Sequence, residues 1–137
     1  MTDTRKLLAL VAGISSLAIA GCDPSNSTRQ LTDLKDTSWK VVAIPKQVRA
    51  TMSFGADDRV FGSSGCNRYV GTYETSGQEI KISKVSSTRM MCPEVEMSVE
   101  RELLKTLAIV NRWQGTANEV ELTAPVNKTS VRLTRAQ

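Results

Sequence analysis

The stretch from Pro93 to Val110, PEVEMSVERELLKTLAIV, decides the fold. Pro93 can occupy the first turn of a helix, and Glu94 and Glu96 favour its positive N-terminal end. Val95, Val99, Leu103, Leu107 and Val110 then recur at spacings of four, four, four and three, which with Leu104 places them on one helical face. The spacing predicts one amphipathic helix from about Glu94 to Ala108, with Leu103 and Leu107 nearly inaccessible to solvent.

Upstream and downstream the pattern changes to alternation. Ser38-Trp39-Lys40-Val41-Val42-Ala43-Ile44 is β-prone and stops at Pro45. Ala50 to Phe54 and Arg59 to Ser63 flank Gly55-Ala56-Asp57-Asp58, a turn of suitable length for a hairpin. Gly62, Gly65 and Gly71 punctuate the path around Cys66 and Asn67, which points to bulges or close backbone approach. Tyr69 to Glu74 and Glu79 to Val85 form another pair about Ser76-Gly77. Beyond the helix, Asn111 to Gly115, Glu119 to Thr123 and Ser130 to Thr134 alternate again. One helix cannot cover so many strands laid flat. The expectation is an α+β fold, a curled, mostly antiparallel, barrel-like sheet of seven or eight strands wrapped around one helix.

The other end of the chain carries an address. Arg5 and Lys6 precede an apolar run from Leu7 to Ile19, broken by Gly13, Ser15 and Ser16, which reads as the charged and apolar regions of a secretory signal. The run is too short to span a bilayer as a helix, which takes about 20 residues. Ile19-Ala20-Gly21-Cys22 resembles a bacterial lipoprotein processing box. That resemblance implies cleavage before Cys22, an S-diacylglycerol and an N-acyl chain on Cys22, and attachment to a membrane through more than one chain. Residues 1–21 are then a signal peptide, residues 22–33 a lipidated tether, and residues 34–135 the domain. The protein is expected in the bacterial cell envelope, facing the periplasm. Asp23 resembles an inner-membrane retention signal and weakly favours that membrane over the outer one.

Composition excludes more than it suggests. The chain has no histidine, which removes the usual general base and the commonest ligand for zinc, copper and iron. The net charge of +4 is spread among mixed charges, with no basic block that fits nucleic acid. No phosphate loop, metal cluster or nucleophile with a matched base appears, so neither enzyme activity nor a metal or cofactor is expected. With Cys22 assigned to lipid, Cys66 and Cys92 remain as an even pair in an oxidising compartment. They either bridge, closing a loop of about 26 residues for about 3 to 4 kcal/mol, or stay as two buried thiols.

Two signatures in order resemble the META (HslJ-like) domain family over about Leu34 to Arg135. Trp39 stands where such domains open, and Met52-Ser53-Phe54 with Arg59-Val60-Phe61-Gly62 resembles the family's strand, turn and strand. Ser64-Gly65-Cys66-Asn67, followed by Tyr69, Gly71 and Tyr73, matches its first pattern; Ser87-Thr88-Arg89-Met90-Met91-Cys92 matches the second, just before the helix. The physical reading of these residues is architectural. Gly65 turns the chain, Cys66 reaches toward Cys92, and Asn67 satisfies turn amides or takes a left-handed backbone. Arg89 either binds an acidic ligand or, as favoured here, covers apolar surface with its stem and pairs with a carboxylate. Met90 and Met91 are either copper-seeking thioethers or, as favoured here, strand neighbours with one thioether in the core and one on the surface. Glu96 and Glu100 belong to a solvated helical face.

The resemblance implies a heat-shock or drug-tolerance association. The expected function is a lipid-anchored, non-enzymatic interaction or stress-protection module acting on an unknown envelope protein. The alternative is a carrier or pilot protein that holds an acyl chain or an apolar peptide in a groove beside the helix.

Overall fold

The computed structural model describes residues 29–42, 45 and 47–136; the expected signal peptide, Cys22 and Asp23 lie outside them. Short turns dictate the architecture. The first strands are β1 (Thr37–Val41), β2 (Thr51–Phe54) and β3 (Arg59–Ser63), followed by the long hairpin of β4 (Arg68–Ser76) and β5 (Glu79–Ser87). The helix α1 (Glu94–Leu107) then leads to β6 (Arg112–Gly115), β7 (Glu119–Ala124) and β8 (Thr129–Arg135). Gly77, at φ 57°, allows the tight β4–β5 turn.

Each strand runs antiparallel to the next and β8 returns to β1, so eight strands close a ring in sequence order. The curled sheet with one helix expected from the sequence is therefore present. Its strands alternate as a half-buried sheet must: Tyr69 and Tyr73 of β4, Ile80 and Ile82 of β5, Val120 and Leu122 of β7, and Val131 and Leu133 of β8 all point inward.

Because every strand reverses direction, the β1–β2, β3–β4, β5–β6 and β7–β8 connections gather at one end of the ring. The helix is the β5–β6 connection, so it lies across that end. β5 meets β6 at the Glu79–Arg112 pair. Past that pair the ring parts, and Leu103, Leu107 and Val110 join Ile80 and Ile82 in one buried cluster.

The interior is filled by the protein's own side chains. Trp39, Tyr73, Phe54, Leu34, Met52, Leu107, Leu122 and Leu133 are the largest residues with almost no exposure. Their polar atoms are satisfied. The Trp39 indole donates to the Thr37 hydroxyl at 2.8 Å, and that hydroxyl donates to the Leu34 carbonyl. Phe54 meets Tyr73 edge to face with ring centroids 5.0 Å apart.

Folding begins earlier than the tether boundary suggested. Gln30 bridges to Thr116 and the Leu31 amide donates to the Gly115 carbonyl at 2.9 Å. Leu31 packs against the core, so the last part of the expected tether is docked.

The tyrosines give the fold an alkaline limit. The Tyr69 hydroxyl donates to the Thr51 carbonyl at 2.8 Å and the Tyr73 hydroxyl to the Gly55 carbonyl at 3.1 Å. Burial holds both phenols above the ordinary tyrosine value, Tyr73 at about 12 with help from the carboxylates of Asp33, Asp58, Asp36 and Asp57. The folded state thus favours the neutral phenol. Stability is fully present below the unfolded value of about 10 and falls as the pH rises from there towards about 12, at about 1.4 kcal/mol per pH unit per phenol. Denaturant titrations across this window should show the fall, with phenolate absorbance rising together with unfolding. Phenolate appearing near pH 10 in a folded domain would contradict it.

Candidate functional site

The two sequence signatures meet at the helix end of the ring, where β3 turns into β4. Gly65 adopts φ 106°, a conformation that side-chain-bearing residues rarely take, and an added Cβ would lie 2.3 Å from Val48 Cγ1. The Ser64 amide donates to the Asn67 carbonyl at 2.9 Å and closes the turn.

Asn67 is 1% exposed and acts as a clamp on the segment that follows β5. Its side-chain carbonyl accepts from the Met90 amide at 2.7 Å and from the Thr88 hydroxyl at 2.9 Å. Its side-chain amide donates to the Met90 carbonyl at 3.4 Å. Around it, the Arg68 amide donates to the Thr88 hydroxyl at 3.1 Å and the Thr88 amide donates to the Arg68 carbonyl at 3.0 Å. Cys66 and Cys92 are joined by a disulfide with their Cα atoms 6.1 Å apart. Asn67→Ala should therefore lower stability by about 1 to 3 kcal/mol, because it leaves the Met90 backbone groups without partners. Thermal melts of the two proteins at one pH measure it.

Several expected roles do not survive the geometry. Met90 and Met91 are both exposed, at 55% and 98%. They lie between β5 and α1, outside any strand, so strand parity does not apply to them. Arg89 is exposed and makes no ion pair among the described residues. Glu100 is not on a solvated face. It is 8% exposed, and its carboxylate accepts from the Ser64 hydroxyl at 2.7 Å, which ties α1 to the β3–β4 turn. Glu96, one turn earlier, is half-buried, and its Oε2 has no hydrogen-bond partner. Val95 is 41% exposed although its spacing places it on the core face, and it lines an open groove instead.

Chemistry at this corner is limited by access. Ser64 is 1% exposed and its hydroxyl is engaged by Glu100 and the Asn67 carbonyl, so it cannot meet a substrate. Among the described residues no group of three or more carboxylates or cysteines is placed to hold a metal. No helix among them is long and apolar enough to cross a membrane.

Beside the corner lies an open groove of about 580 Å³ between α1, the end of β1 and the start of β8. Val41, Val42 and Pro45 form one wall, Val95 and Val99 the other, and Val131 the floor. Glu94 and Glu102 rim it on the helix side and Arg132 opposite. Sequence reading located the helix wall but missed Val42, Pro45 and Val131. The available signal was the apolar residue in the helix's first turn, Val95, which has no core to enter.

None of the curated proteins matches this chain. Among solved structures it is similar to a protein from Burkholderia xenovorans determined by NMR, with a TM-score of 0.67 and 20% identity over 93% of this chain and 99% of that one. A DUF4847 family protein from Bacteroides vulgatus superposes with a TM-score of 0.59 and 18% identity, over 75% of this chain and 94% of that one. A further NMR structure gives 0.60 and 22%, over 74% and 91%. At such identities these likenesses speak for the ring and helix alone. The family is carried by the two signatures that the Asn67 clamp and the disulfide join, and residues 32–137 match the model of the META domain; the chain belongs to the META domain family.

Proposed function

We propose that this chain is a lipid-anchored, non-enzymatic module of the bacterial cell envelope that faces the periplasm and protects or holds a partner under heat or drug stress. Its working surface in this reading is the groove beside α1. One observation carries it: the barrel interior is packed with the protein's own side chains, while apolar surface at Val42 and Val95 stays open at the groove. Exposed apolar surface rimmed by charge is the usual form of an interaction site. Attachment runs through the lipid on Cys22, and Asp23 favours the inner membrane. Neither a cofactor nor nucleic acid enters this reading.

The groove also supports a second reading, a carrier of an acyl chain, since its volume falls within the range of small-molecule sites, about 300 to 1,000 Å³. Val42→Asp and Val95→Asp test both. Each residue is more than a third exposed, so each substitution should cost no more than about 1 to 2 kcal/mol and leave the domain folded. In a strain lacking the protein, the double variant should be processed and folded yet fail to restore survival after heat or drug challenge. Restoration equal to wild type would reject the groove as the working surface. Titration of the protein with a spin-labelled fatty acid separates the readings, since broadening of Val95, Val99 and Val131 resonances at micromolar probe marks the carrier.

A further inference from the structure

The segment between β5 and α1 holds two thioethers in water by construction. Of the methionines in the described residues, Met52 is fully buried and Met97 half-buried, whereas Met90 is 55% and Met91 98% exposed. An apolar side chain of this size forgoes about 1.5 to 3 kcal/mol by staying out of a core. Its exposure here is imposed by the backbone. Asn67 grips both backbone groups of Met90, Thr88 is paired with Arg68, and Cys92 is bonded to Cys66, so residues 88–92 are fastened at both ends and near the middle. Met91 cannot turn inward without breaking one of these attachments. Other oxidant-sensitive groups are withdrawn: Trp39 and Trp113 are buried, and Cys66 and Cys92 are already oxidised as a pair.

We propose that Met91, and after it Met90, is a site of reversible oxidation to methionine sulfoxide by hypochlorous acid or a peroxide, and that the domain accepts the modification without unfolding. With hypochlorous acid the thioether sulfur attacks chlorine and hydroxide leaves; water then adds to sulfur as chloride departs. Of the two protons that water gives up one neutralises the hydroxide, so the net products are the sulfoxide, one proton and chloride. Sulfur loses two electrons and chlorine gains them. With a peroxide the sulfur–oxygen bond forms as the oxygen–oxygen bond breaks, and water or an alcohol leaves. Susceptibility follows access, and neither side chain supports the core, so the polar product leaves packing untouched. The added oxygen converts two apolar protrusions next to the N-terminal end of α1 into polar ones. Reduction by a methionine sulfoxide reductase returns them.

The test treats the intact protein with less than one equivalent of hypochlorous acid and locates the added oxygen by fragment mass spectra over time. Expected is sulfoxide at Met91 first and Met90 second, both at least about tenfold faster than at Met52. The melting midpoint should be unchanged, and a methionine sulfoxide reductase with thiol reductant should remove the oxygen. Met90→Leu with Met91→Leu should keep the fold while the protein consumes less oxidant. Equal rates at Met91 and Met52, unfolding on oxidation, or a product that the reductase leaves in place would overturn the proposal.

Discussion

Leu107→Ala lowers the stability of the domain by about 2 to 5 kcal/mol, a large share of the roughly 5 to 15 kcal/mol typical of a native domain. Leu107 ends α1, has no measurable exposure, and shares its cluster with Leu103, Val110, Ile80 and Ile82. It sits where β5 and β6 share only the Glu79–Arg112 register pair, so the helix helps to fill the interior there. The cavity would persist and add to the lost burial. A urea titration should show a lower midpoint with the slope unchanged. Val95→Ala is the internal comparison, since Val95 lies on the same face by spacing but is 41% exposed, and it should cost less than about 1 kcal/mol. A loss below about 1 kcal/mol for Leu107→Ala would mean that the helix does not complete the core.

The difference between these two positions marks where sequence periodicity stops being informative. The spacing from Val95 to Val110 defines a helical face, but it cannot say where the partner surface ends. Val99, Leu103 and Leu107 are buried, whereas Val95, one turn earlier, lines the open groove. Glu96 and Glu100 depart from a solvated face for the same reason. An acidic pair one turn apart defaults to a solvated face, and only the β3–β4 turn, brought close by ring closure, supplies the Ser64 hydroxyl that Glu100 accepts.

Alternation along single strands was legible throughout, since inward residues such as Tyr73, Leu122 and Leu133 recur every second position. Closure of β8 on β1 was not, because nothing local in Leu133 or Val41 names the other as its partner. Met90 and Met91 show a third limit. Strand parity holds only inside a strand, and β5 ends at Ser87, after which Asn67 holds Thr88 and Met90 outside the ladder. The groove was least legible of all, being assembled from β1, α1 and β8, three segments far apart along the chain.

Removing the disulfide, by Cys66→Ala with Cys92→Ala, should lower stability by about 3.5 kcal/mol, the chain-entropy expectation for a closed loop of this length. The two cysteines stand 26 residues apart, and the loop they close contains the whole β4–β5 hairpin. Most of the loss acts through the unfolded chain, which gains freedom, so the folded corner should persist. Amide resonances of Thr88 and Met90 should remain near their wild-type positions, because Asn67 still holds that segment. Urea titration and amide spectra of the double variant measure both expectations. Combining it with Asn67→Ala then decides whether the corner is one unit. With the bridge present, loss of the clamp leaves residues 88–92 tethered beside β4; with the clamp present, loss of the bridge leaves them hydrogen-bonded there. With both gone, the Arg68–Thr88 hydrogen bonds and the Ser64–Glu100 contact are left to hold the approach to α1, and Met90 and Cys92 lose their attachments to the β3–β4 turn. The triple variant should therefore be less stable than the sum of the separate losses by more than about 0.5 kcal/mol. Additivity within that margin would show that bridge and clamp act independently, and the two signatures would then be neighbours rather than a single structural device.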